Sequence, residues 1–287
     1  MGEPVLVSFD ASPFPYHGDI PDKGVPFLNV SDNGKLGHQA PRGGVLWEES
    51  TYNDNRTLLY IPQSFDPRSA GVMVVFFHGN NATLERDVRG RQAVPRQIET
   101  SGINAVLVAP QFAVDARDSS AGRFWQPGAF SQYLDEAAQH LAEQYGDDQL
   151  RNRFASMPVV LVAYSGGYLP AAYALDVGGA GGRIAGVVLL DALYGEADRF
   201  ANWIAQRGSG FFLSAYSPST RDENLALQRS LSDRGITFDA GISSRITQSS
   251  VTFVDAGDNT EHADFVTHAW TEDPLAHVLA MLGSYRR

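Results

Sequence analysis

One serine in this chain stands in a setting suited to nucleophilic attack. Ala163-Tyr164-Ser165-Gly166-Gly167 directly follows the apolar run 158–162 and precedes a helix-like segment over 168–176. A strand that turns into a helix through a single serine holds the hydroxyl up at the sheet edge. The turn is so tight that the residues two before and two after the serine must be small. Ala163 and Gly167 meet that requirement. The chemistry this predicts is attack of Ser165 on a carbonyl carbon, and therefore a hydrolase.

A serine hydroxyl is a weak nucleophile near neutral pH, so it needs a base beside it, an acid behind the base and donors for the oxyanion. Seven histidines are available as base. His17 and His38 lie in an irregular N-terminal stretch, His140 in mid-helix, and His268 and His277 in the last predicted helix. His262 lies in the polar loop 256–263, after a predicted strand at 251–254, and loops at the carboxyl ends of parallel strands are where ligands meet such sheets. His262 is the expected base. His78-Gly79-Asn80-Asn81 follows the most hydrophobic strand, where Gly79 permits a sharp turn and the Asn80 amide can serve as one oxyanion donor. The Gly166 amide, at the positive end of the helix after the serine, is the expected second donor. His78 itself reads as a structural, hydrogen-bonded residue.

For the acid, Asp191 leads, because the apolar run 184–190 delivers it to the same sheet edge. Asp222 is the alternative, although its stretch reads as a helix cap. Asp255 and Asp258 are too near His262 in sequence to be favoured, and Glu261 would point away from it. The competing reading of Asp191 is a buried carboxylate that caps the following helix.

The elements that must hold these residues are legible as short apolar runs at 57–61, 71–77, 105–109, 159–163, 184–190, 211–216 and 251–254. Apolar runs without alternation mark strands buried on both faces, as in a parallel sheet covered by helices. Between them, segments 84–101, 129–145, 168–177, 196–206, 223–234 and 265–282 carry apolar residues at helical spacing. The expected fold class is α/β, a doubly wound, mostly parallel sheet of about seven or eight strands. Residues 1–44, rich in Pro, Gly, Asp and Asn, read as an irregular arm over a catalytic domain spanning 45–287.

Composition narrows the function. The chain has 287 residues, with 22 basic against 33 acidic side chains and a net charge of −11. Nucleic acid is excluded as a partner, since phosphate binding needs clustered Lys and Arg. Strongly anionic substrates are disfavoured for the same reason. Without cysteine there is no disulfide, thiolate nucleophile or thiolate metal site. No apolar run is long enough to span a membrane. The N-terminus lacks the basic and apolar regions of a signal peptide. As the sequence stands the expectation is a cytoplasmic protein, or a periplasmic or secreted one if a leader has been removed. Oligomeric state is not legible.

The order strand–His-Gly-Asn, strand–Ala-Tyr-Ser-Gly-Gly–helix, strand–Asp and strand–loop–His resembles the α/β-hydrolase superfamily over roughly residues 45–285. Ser165, Asp191 and His262 follow that superfamily's Ser…Asp…His order. Two departures stand out. Ala163 replaces the usual first glycine of the elbow, and Asp191 follows the strand right after the elbow helix, whereas most members place the acid one strand later. Pancreatic-type lipases share the earlier placement. The resemblance implies a serine hydrolase of carboxylesterase type, working through an acyl-enzyme on Ser165, with His262 relaying the proton, Asp191 orienting the imidazole, and the Asn80 and Gly166 amides binding the oxyanion. That mechanism requires no metal and no organic cofactor.

Residues 192–209 read as one helix, which leaves no room for a large lid domain. The long loop 110–128 is the remaining cover, and its Phe112, Phe124 and Trp125, with Tyr168 and Tyr194, are the candidate pocket residues. The acidic group around His262 lacks metal-ligand spacing and reads as an acidic turn around a base. The expected substrate is a carboxylic ester of small to medium size. An amidase or peptidase with the same triad is the nearest alternative, and a non-catalytic hydrolase-fold binding protein is the other.

Overall fold

The structure is a computed structural model that describes residues 2–242 and 244–287. Its centre is a nine-stranded sheet built from β1 (Val5–Ser8), β2 (Arg56–Tyr60), β3 (Val72–Phe77), β4 (Ala105–Pro110), β5 (Val159–Tyr164), β6 (Ile184–Leu190), β7 (Phe211–Tyr216), β8 (Asp239–Ala240) and β9 (Val251–Asp255). Across the sheet the order is β1-β2-β4-β3-β5-β6-β7-β9-β8. The β1/β2 and β2/β4 pairs are antiparallel and every other pair is parallel. This is the doubly wound, mostly parallel sheet expected of an α/β-hydrolase fold, without a large lid. The seven expected strands are all present, and β1 and β8 are additional.

Both faces of the sheet are covered, which is why the strands read as continuous apolar runs. Side chains alternate across each strand. Met73, Val75, Phe77, Leu161, Ala163, Val187 and Leu189 enter one core cluster. Their neighbours Val72, Val74, Phe76, Val160, Val162, Val188 and Leu190 enter the other. The first layer is closed by helices Ala129–Tyr145, Tyr168–Asp176 and Ala197–Gln206, through residues such as Phe130, Tyr133, Ala171, Phe200 and Ile204. The second is closed by Val94–Thr100 and Pro274–Ala280, through Ile98, Leu275 and Leu279.

Two long helical predictions are divided in the structure. The segment 84–101 forms a π-helical stretch, Leu84–Arg91, and a separate helix, Val94–Thr100, with Ala93 between them at φ 47°. The cause is Pro95, whose ring would meet the carbonyl four residues earlier in an unbroken helix. The segment 265–282 likewise becomes a 3₁₀ turn, His262–Val266, and a helix opened by Pro274.

Residues 1–44, expected to be irregular, contain β1, a two-stranded hairpin of Asp19–Ile20 with Val25–Pro26, and the strands Val30–Asp32 and Lys35–Gln39. The segment is tied into the core by its aromatics. Phe9, Phe14 and Phe27 are buried, and each such side chain contributes about 2 kcal/mol of burial. Phe9 meets Tyr133, Phe14 meets Tyr52, and Phe27 meets both Tyr52 and Trp125. Glu136 accepts hydrogen bonds from the Asp10 and Ala11 amides.

The register sets up the site. Ala163 of β5 pairs with Phe77 of β3 and Leu189 of β6, Leu190 pairs with Ala215 of β7, and Tyr216 with Asp255 of β9. The residues just beyond these strands therefore emerge side by side on one edge: His78–Asn80, Ser165, Asp191, Ser217 onward and the loop leading to His262.

Candidate active site

Strand β5 ends at Tyr164, and the chain turns through Ser165 at φ 54° into the 3₁₀ turn Ser165–Gly167 and then the helix Tyr168–Asp176. A non-glycine residue in the left-handed region costs on the order of 1–3 kcal/mol and persists only where its surroundings hold it. Here they do. A Cβ on Gly167 would come within 2.5 Å of Phe77 O, a Cβ on Gly166 would overlap Asn80 Oδ1, and one on Gly79 would stand 2.6 Å from Ser165 Cβ. The three glycines let the elbow and the His78–Asn80 loop approach each other around the serine.

His262 Nε2 lies 2.8 Å from Ser165 Oγ, and His262 Nδ1 lies 2.6 Å from Asp191 Oδ2. The imidazole is 37% exposed, whereas Asp191 has no exposure at all. The ring is fixed from several sides. Tyr164 stacks on it at 5.0 Å between centroids, and its hydroxyl donates to His262 O at 3.3 Å. Glu261 and Asp264 form a reciprocal capping box over the turn that His262 opens. Tyr194 stands edge-on to the ring, with its hydroxyl 3.4 Å from Nδ1 and 3.1 Å from Ser219 Oγ. At 3.4 Å that contact with the nitrogen is weak, so the Nδ1 hydrogen goes to Asp191.

Asp191, itself at φ 43°, is held by a set of donors the sequence did not reveal. The Ser217 amide donates to Oδ1 at 2.9 Å, Ser217 Oγ approaches both oxygens, Ser219 Oγ donates to Oδ2 at 2.9 Å, and Thr220 Oγ1 donates to Oδ1 at 2.5 Å. Burial pushes the Asp191 pKa up, but the hydrogen bonds from His262, Thr220 and the Ser217 amide outweigh it and hold the carboxyl below its ordinary value. It is therefore ionised at neutral pH. Asp222, the alternative acid, is exposed in the first turn of the helix Arg221–Asp233, and among the described residues His262 pairs with Asp191 instead. The sequence signal for the missed donors is the run Ser217-Pro218-Ser219-Thr220 right after β7. Its hydroxyls face the neighbouring strand end.

His78 is buried, with Nδ1 2.7 Å from Gly79 O and Nε2 3.0 Å from both the Gln111 side-chain amide and the Phe112 amide. Those two N–H groups require Nε2 to accept, so the ring is neutral with its hydrogen on Nδ1. Burial lowers its pKa to about 4. It ties the loop that carries Asn80 to the chain after β4. Asn80 Oδ1 accepts from Ser119 Oγ at 3.2 Å. The Asn80 amide makes no hydrogen bond within the protein among the described residues, and the Gly166 amide lies in a first helical turn, where no intrahelical acceptor is available.

A cleft of about 640 Å³ adjoins this site, between the N-terminal segment and the start of the helix after Ser165. Asn80, Ser119, Trp125 and Tyr168 line it. Of the expected pocket residues, Trp125 and Tyr168 are thus placed on the cleft, and Tyr194 beside His262. Phe112 and Phe124 are not. They pack with Phe77, Phe130 and Tyr133 in the core below, and this corrects their assignment. A loop with buried aromatics is pulled inward by burial free energy, which a sequence pattern cannot separate from a pocket wall. The acidic turn is partly engaged, with Asp255 and Asp258 at 3.3 and 2.6 Å from Arg221.

No family model matches the chain, and no curated protein matches it. Among solved structures it is similar to a serine-to-alanine mutant of the feruloyl esterase module from Clostridium thermocellum complexed with sinapinate, at 14% identity and a TM-score of 0.48, over 96% of this chain and 98% of that one. It is also similar to a thermophilic esterase from the Planctomycetes species Thermogutta terrifontis, at 12% identity and a TM-score of 0.44, over 73% of this chain and 79% of that one. These values are too low to carry either protein's activity to this chain.

Proposed function

We propose that the protein is a serine hydrolase that cleaves carboxylic esters through an acyl-enzyme on Ser165. The observation that carries this reading is the continuous chain Asp191–His262–Ser165, with contacts of 2.6 and 2.8 Å at the two nitrogens of one imidazole. Because Asp191 is ionised and takes the Nδ1 hydrogen, Nε2 is left as a free base facing the serine hydroxyl. As Ser165 Oγ bonds to the ester carbonyl carbon, its proton passes to Nε2, and the imidazolium is stabilised by the buried carboxylate. The carbonyl oxygen becomes an oxyanion, and the Asn80 and Gly166 amides are the donors placed to receive it. Collapse expels the alcohol with the proton from Nε2. Water, deprotonated by the same nitrogen, then releases the acid and restores the serine.

Residues 1–44 belong to the same working unit in this reading, since the substrate cleft lies between them and the hydrolase body. The open cleft and the absence of an inserted lid domain support an ester of small to medium size. The test is turnover of p-nitrophenyl esters against matched p-nitroanilides. Ester cleavage with little or no anilide cleavage is expected, while preferential anilide cleavage points to an amidase. No turnover of either class contradicts the proposal.

A further inference from the structure

Resting on the serine-hydrolase reading above, we infer that the substrate carries a single negative charge, a carboxylate, on the part of the ester that lies in the cleft against Arg42 and Arg117. The cleft is walled by the carboxylates Asp22, Asp118 and Glu196 and by the cations Lys23, Arg42 and Arg117. Each carboxylate is already engaged. Asp118 accepts from Tyr52 Oη at 2.8 Å and Ser120 Oγ at 2.9 Å. Asp22 and Glu196 both face Arg199, at 3.7 and 2.8 Å.

The cations are not. Among the described residues, Lys23, Arg42 and Arg117 make no ion pair and donate no hydrogen bond to a carboxylate. Elsewhere acid is in excess, and Arg56, Arg86, Arg96, Arg183 and Arg221 each meet a carboxylate. In a chain of net charge −11, cations left unpaired along one cleft are available to a ligand. Arg42 lines the same cleft as Asn80 and Tyr168. Burial raises the phenol pKa of Tyr168 and of Tyr194, and the positive charge of Arg42 opposes the rise at both. Tyr194 stands edge-on to the His262 ring, and Tyr168 lies 6.1 Å from Tyr194 between centroids.

Two guanidinium groups present planar donor forks that match a carboxylate. The chain's overall charge and the cleft's resident carboxylates repel a dianion more than a monoanion, so a carboxylate is favoured over a phosphate. The net charge acts weakly here, because repulsion between exposed charges is screened beyond about 10 Å at 0.1 M salt. The discrimination against a dianion therefore rests on the cleft's own carboxylates, Asp22, Asp118 and Glu196.

The probes are 3-acetoxybenzoate and its neutral counterpart 3-acetoxybenzamide, with binding measured by calorimetry on Ser165→Ala protein, which leaves the ester uncut. The carboxylate is expected to bind about five- to tenfold tighter, the scale of two exposed charge contacts. In the Arg42→Gln/Arg117→Gln double variant on the same background that preference falls to within about twofold. On Ser165→Ala protein with both arginines intact, about 0.5 M NaCl weakens it similarly. A preference that survives the double variant unchanged, or no preference at the outset, overturns the inference. Tighter binding of 3-acetoxyphenyl phosphate than of the carboxylate overturns its monoanionic part. Fluorophosphonate labelling of Ser165 in wild-type protein, run alongside, reports on the hydrolase reading separately. The two can therefore fail independently.

Discussion

Replacing Gly79 by alanine puts a methyl group against Ser165, the proposed nucleophile. The new Cβ would stand 2.6 Å from Ser165 Cβ and 3.0 Å from its Oγ, where ordinary contact begins near 3.4 Å, so about 0.8 Å of separation has to be found. Little of the surroundings can give. Ser165 is held at φ 54° between a fully buried strand and a helix, and Gly167 is closed in by Phe77 O. The displacement therefore falls on the serine side chain and on the loop bearing Asn80. Misplacing reacting atoms by about 1 Å costs on the order of 100-fold in rate, which is about 2.7 kcal/mol of transition-state stabilisation. Overpacking of this kind destabilises the fold by about 1–3 kcal/mol, which leaves the variant folded. The assay is kcat/KM on a p-nitrophenyl ester together with the rate of fluorophosphonate labelling. A urea melt separates lost activity from lost fold. A folded Gly79→Ala protein with kcat/KM and labelling within about threefold of wild type would refute the claim that this approach positions the nucleophile.

The acid is distinguished by paired substitutions: Asp191→Asn is expected to lower kcat by about 10³–10⁴-fold, while Asp222→Asn changes it less than twofold, about the limit expected for an exposed charge. The reverse pattern would assign the acid to Asp222. Loss of stability in mild acid is expected from His78. Its folded pKa of about 4 lies below the ordinary 6.5, so the unfolded chain binds the proton first. Stability is full above pH 6.5, falls as pH drops toward 4, and levels below that, for a total of about 3 kcal/mol. Urea titrations across that range, with the His78 C2–H resonance followed by NMR, measure both quantities, and a ring that titrates near 6.5 contradicts the assignment. Thr220→Val removes one donor from the Asp191 carboxylate and is expected to raise its pKa and slow turnover about tenfold. Unchanged turnover in that variant would show that the hydroxyl is not needed to hold Asp191 ionised.

Much of this arrangement is legible in the residues because it rests on local rules. The strands β3, β5, β6 and β7 are apolar on both faces and leave an unbroken signal, and the elbow needs small residues at fixed offsets from Ser165. Proximity across the sheet edge is a different matter, since it depends on register. The Ser217–Thr220 donors around Asp191 and the Tyr164 ring on His262 come from strand ends brought level by pairing, and no spacing in the sequence encodes that. β1 was hidden because it is a short edge strand whose partner lies some fifty residues on. Phe112 and Phe124 misled for the opposite reason: an aromatic loop next to the candidate site looks the same in sequence whether its rings face a ligand or the core.

Attack by Ser165 Oγ is the step on which the proposed function stands, and it is read out by mass spectrometry of the intact protein after treatment with a fluorophosphonate. One adduct per chain is expected, mapped by digestion to Ser165, abolished by Ser165→Ala and by unfolding, and slowed severely in His262→Ala. A folded wild-type protein that takes no adduct, or takes it on another residue while Ser165 stays free, would contradict it.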